Sequence, residues 1–111
     1  MITISLISEI LSLYKKHGWK VSRVLLSREI KDSLDSESFS NLFGGIEIIE
    51  HELNAVWFSR PSKHGKIAWE LRHLSEQPFA IFELFDENED KELIKETLHN
   101  SENRLKIHAS K

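Results

Sequence analysis

The chain has 111 residues, of which 40% are hydrophobic and 30% charged, with no cysteine and a formal net charge of -3. That size implies one domain with one core, burying about 65% of the surface that the unfolded chain exposes. Absent cysteine excludes disulfides, thiolate nucleophiles and cysteine-ligated zinc, and the acidic balance argues against nucleic acid as a first partner.

The earliest apolar run, Ile2 to Leu13, is broken by Ser5, Ser8, Glu9 and Ser12. It therefore reads as neither a signal peptide nor a membrane span, and the expected location is cytoplasmic. Ile7, Ile10, Leu11 and Tyr14 recur at i, i+3, i+4 and i+7, the stripe of an amphipathic helix, with Leu6 and Leu13 widening it. Lys15, Lys16 and His17 suit the negative end of the helix dipole, and Gly18 suits the left-handed residue after it. The first helix is thus predicted from Ile4 to His17.

Trp19 to Leu26 interleaves Trp19, Val21 and Val24 with Lys20, Ser22 and Arg23, the pattern of a half-buried strand. Ser27 predicts the N-cap of a short helix carrying Ile30 and Leu34. Asp35 or Ser36 predicts the cap of another carrying Phe39, Leu42 and Phe43, stopped by Gly44 and Gly45. Ile46 to Leu53 fits a strand through Ile46 and Ile48, or a helix through Ile46, Ile49 and Leu53; its shortness after two glycines favours the strand.

Pro61 to Gly65 is a turn signal, so Ala55 to Arg60 and Lys66 to His73 are expected to pair as a hairpin. A turn of even length, His64-Gly65 or Ser62 to Gly65, places Val56 and Phe58 on a face with Ile67, Trp69 and Leu71. Trp57 and Ser59 then fall with Ala68, Glu70 and Arg72 on the more polar face. A second turn at Ser75 to Gln77 leads to Phe79 to Phe85, which carries Phe79, Ile81 and Phe85 on one face and Ala80, Phe82 and Leu84 on the other. A strand apolar on both faces is expected to be central and covered twice.

Ile94, Leu98 and Leu105 keep helical spacing, with Leu93 beside them and Ser101 interrupting the stripe. They predict a long terminal helix from Asn88 to Ile107, begun by an aspartate version of the capping box, Asp86 with Glu89. The expected fold is a single α+β domain over residues 1–111: an antiparallel sheet of four to five strands, an N-terminal helix and a long C-terminal helix.

Function is less legible. There is no Gly-x-Ser-x-Gly elbow and no Walker or dinucleotide glycine pattern, so no catalytic residue and no cofactor is assigned. His51 between Glu50 and Glu52 invites a metal reading, but alternation sends the glutamates away from the histidine and the second histidine of a helical zinc site is missing, so no metal is assigned either. The leading expectation is a non-enzymatic interaction module, bound to a protein partner or a second copy. Its surface centres on Trp57, Phe79 and Ile81 and is bordered by Glu70, Arg72 and Glu83, unless the two long helices cover opposite faces or residues 28–45 wrap over the second one.

Two alternatives stand beside it. One is a small-ligand binder or enzyme with a pocket between sheet and helix, using Arg72, Glu70 or Glu83 as polar groups. The other is weak anion or nucleic-acid binding at the hairpin tip through Arg60, Lys63 and Lys66. The order of helix, strands and helix resembles that of double-stranded RNA-binding domains, but Glu87, Glu89 and Asp90 stand at the start of the final helix and would repel phosphate.

Overall fold

The computed structural model describes residues 2–34 and 36–109, with only the backbone of residues 36–39. In chain order the elements are α1 (Ile4–Lys16), β1 (Lys20–Leu26), α2 (Arg28–Ser33), α3 (Ser36–Phe43), β2 (Ile48–Glu50), β3 (Ala55–Pro61), β4 (Lys66–His73), β5 (Ala80–Asp86) and α4 (Lys91–Ala109). The fold is α+β, as the hydrophobic periodicities imply. Asp35 as a cap and the Phe39 side chain lie outside the described residues.

Local chemistry accounts for the helix ends. Thr3 caps α1 by accepting from the Leu6 amide at 3.1 Å, and Gly18 at φ 83° takes the left-handed turn out of it. Ser27 caps α2, with its hydroxyl 3.4 Å from the Ile30 amide. The start of α4 differs from expectation, because Asp90 supplies the cap by accepting from the Glu92 amide at 2.9 Å. Asp86 still belongs to β5, where it pairs with Lys66, and is not free to cap a helix.

The strands form one sheet in the order β2-β1-β3-β4-β5. All neighbours are antiparallel except β1 and β2, which are parallel and joined through α2 and α3. A parallel pair needs a long crossover, and those two short helices supply it. The register of β1 shifts between Val21 and Arg23, so Ser22 is the extra residue of a bulge. Val21 and Val24, three apart, therefore both reach the same face.

The hairpin corrects the expected facing. Val56 pairs with Arg72, Trp57 with Leu71, Phe58 with Glu70 and Ser59 with Trp69, so residues of equal parity share a face. The cause lies at the tip: His64 and Gly65 both have positive φ, at 60° and 68°, as a primed two-residue turn requires, and the Lys66 amide donates back to the Lys63 carbonyl. The Ser62 amide also donates to the Lys66 carbonyl, at 2.8 Å, leaving two residues opposite one. That single extra residue inverts every side chain of β4 relative to an even turn.

Two cores result, one on each face. On the first, Ile7, Ile10 and Tyr14 of α1 pack on Val24, Leu26, Val56 and Phe58, with Phe43 of α3 closing the side. On the second, Leu98 and Leu105 of α4 pack on Leu25, Trp57, Leu71, Ile81 and Phe85. The two long helices cover opposite faces. The expected central place of the last strand is not observed: β5 is an edge, covered by α4 on one side only.

Candidate functional site

The six residues expected to form one interaction surface are divided between the faces. Trp57 is 0% exposed, and its indole N–H donates to Glu102 Oε2 at 2.8 Å. Ile81 is buried in the same core, and Phe79 stacks on His108 with ring centres 3.6 Å apart. Glu83 accepts from the Ser101 hydroxyl at 2.8 Å and lies 3.7 Å from Arg104. All four lie against α4. Glu70 and Arg72 point to the opposite side, paired across β3 with Phe58 and Val56.

Beneath α4 lies a polar centre that the hydrophobic pattern did not disclose. Glu102 is 1% exposed, and its Oε2 also accepts from Arg23 Nε at 2.9 Å. Its other carboxylate oxygen is buried without a partner among the described residues. The signal was present in Ser101: an interruption of an apolar stripe is also where a helix presents polar groups to the sheet.

The three hairpin cations do not form one cluster. Lys66 pairs with Asp86 at 2.5 Å. Arg60 turns onto the α1 face, where it donates to the His17 carbonyl at 2.6 Å and sits 4.4 Å from the Trp19 ring centre. Lys63 is exposed at the tip. His51 is occupied locally, its Nδ1 accepting from the Leu53 amide at 3.0 Å.

On the α1 face a cleft of about 380 Å³ opens between the end of α1 and β4. Tyr14 forms part of its floor, stacked on Phe58 with ring centres 4.0 Å apart and donating its hydroxyl to the Glu70 carboxylate. Burial first, and then this bond to a carboxylate, push the Tyr14 hydroxyl well above its usual pKa, so it remains a neutral donor. Arg72 and Arg60 line the cleft with Leu13, Trp19 and Pro78.

Beyond the cleft lies the free edge of β5. The His73 amide bonds the Phe79 carbonyl and the Glu87 amide the Gly65 carbonyl, so odd residues of this strand exchange hydrogen bonds with β4. Antiparallel pairing then directs the N–H and C=O of Ala80, Phe82 and Leu84 outward. The side chains of the last two are 55% and 46% exposed. The strand has no proline, lysine, arginine or register shift, which are among the devices that keep edges from pairing; its charges are Glu83, turned toward α4, and the terminal Asp86.

Among the described residues no helix is long and apolar enough to cross a membrane. No protein family, curated protein or solved structure matches the chain.

Proposed function

We propose that this chain is a non-enzymatic interaction module that self-associates by pairing β5 with β5 of a second copy. The observation that carries this reading is the coincidence, on one uncovered edge strand, of unpaired backbone groups with the half-exposed side chains of Phe82 and Leu84. Antiparallel pairing about a twofold axis is self-complementary. It sets Phe82 and Leu84 of one copy beside the same residues of the other and joins the two sheets into one. The opposite edge, β2, has three residues and offers far less backbone.

The magnitude indicates a modest affinity. Covering four half-exposed apolar side chains contributes roughly 4 kcal/mol, at about half the value of full burial. A few backbone hydrogen bonds add about 1 kcal/mol each. Association costs at least about 4 kcal/mol, which leaves a net of about 3–4 kcal/mol at most and places the dimer in the millimolar range.

Sedimentation equilibrium over that range tests the reading. The expected result is a concentration-dependent dimer that Phe82→Lys converts to a monomer with no change in urea midpoint. A monomer at every concentration, or a dimer indifferent to Phe82→Lys, removes it; a monomer would leave β5 to a strand of another protein.

A further inference from the structure

Arg72 is only 9% exposed, and a cation so removed from water needs an anion or replacement hydrogen bonds. One nitrogen, Nη1, has them: it donates to the carbonyl oxygens of His73 and Gln77. Among the described residues no carboxylate forms an ion pair with Arg72. Glu70, two residues along the same face, is engaged by Tyr14. The Nε and Nη2 groups have no protein acceptor among the described residues and are not sealed from solvent, and the side chain that carries them lines the cleft.

The charges around the cleft do not cancel. Two guanidinium groups, Arg60 and Arg72, face one carboxylate, Glu70. Both arginines are held by backbone carbonyls, and Arg60 also by the Trp19 ring, so their positions are set before any ligand arrives. The single excess positive charge matches a monoanion. Nε and Nη2 form one edge of the guanidinium, the fork that takes both oxygens of a carboxylate. A phosphate dianion would leave one negative charge uncompensated beside Glu70.

Apart from His17 and the Tyr14 hydroxyl, the rest of the cleft is apolar, with Leu13, Trp19 and Pro78 as walls. Its volume of about 380 Å³ lies at the small end of the range for ligand pockets and suits a single-ring compound. We infer that this cleft binds a small amphipathic acid, its carboxylate on Arg72 and its apolar body between Leu13, Trp19 and Pro78. This site is separate from the β5 edge and does not depend on self-association.

Titration of the whole chain with 3-phenylpropionate, followed by the NMR signals of the Trp19 indole N–H and the Arg72 Nε–H, tests the inference. Saturable shifts of both at millimolar ligand are expected. The uncharged 3-phenylpropionamide should bind roughly tenfold to a hundredfold more weakly, the cost of losing a charged hydrogen-bond partner. Inorganic phosphate should leave Trp19 unmoved. Arg72→Gln should abolish binding; because Arg72 is buried, Leu13→Ser at the open rim serves as a second variant, weakening binding several-fold without loss of stability. The inference is overturned if the amide binds as well as the acid, if phosphate alone shifts both signals, or if no saturable shift appears at either residue.

Discussion

The Arg23–Glu102 contact offers the sharpest test of how α4 is held to the sheet. Replacing Arg23 by Met keeps the length and apolar stem of the side chain but removes the cation 2.9 Å from a carboxylate that is 1% exposed. At that distance Coulomb attraction is about 6 kcal/mol for an effective dielectric constant of about 20, and about 1.4 kcal/mol for that of water. Arg23 is itself 34% exposed, so solvent screens the pair, and a loss of about 3 kcal/mol is expected. With a urea m-value near 2 kcal/mol per molar, the midpoint should fall by about 1.5 M. The control is Glu102→Gln, whose amide oxygen can still accept from Trp57 while the charge is gone. In that background Arg23→Met should cost less than about 1 kcal/mol, a coupling of about 2 kcal/mol in a double-mutant cycle. If the two costs agree within about 0.5 kcal/mol, the buried carboxylate is not compensated by Arg23 and the reasoning fails.

Two further outcomes follow from burial and from titration. Leu105→Ala, at a fully buried position of α4, should lower stability by about 2–5 kcal/mol, whereas Leu93→Ala on the exposed side of the same helix should change it by less than about 0.5 kcal/mol in the same urea titration. Burial, followed by the nearby charges of Arg72 and His108, holds the His73 imidazole below its ordinary pKa. The unfolded chain therefore takes up the proton first, near pH 6.5, so stability should fall as pH drops through about 6.5 and level off once folded His73 is also protonated. Tyr14 acts at the other end: its raised pKa makes its contribution complete below about pH 10 and lost as pH rises beyond it. Urea midpoints measured across both ranges should show the acid slope reduced in His73→Gln and the alkaline slope reduced in Tyr14→Phe. An unchanged slope in either variant would place that proton elsewhere.

Much of this architecture was legible in local patterns. The Ile7, Ile10 and Tyr14 stripe, the Gly18 stop, the Ser27 cap and the Ile94, Leu98 and Leu105 spacing all act within one or two helical turns, and they place α1, α2 and α4 within a few residues. Position-by-position alternation likewise assigned Phe79, Ile81 and Phe85 to one side of β5 and Phe82 and Leu84 to the other. The site was far less legible. The parity of the β3–β4 hairpin rests on one extra residue at Ser62–Lys63, and that residue decides whether Trp57 shares a face with Leu71 or with Arg72. Helical spacing does not single out Glu102, because its partners, Arg23 and Trp57, are distant in the chain.

The sequence by itself therefore determined the elements and which residues each turns to the same side, because those follow from the backbone periods of about 3.6 and 2 residues. Only the tertiary structure decided what meets each side. A two-faced strand became an edge rather than a centre, since strand order depends on contacts between residues far apart in the chain and not on the strand's own pattern. For the same reason Trp57 became core beneath α4, while Phe82, Leu84 and the arginine-lined cleft beside Tyr14 remained exposed.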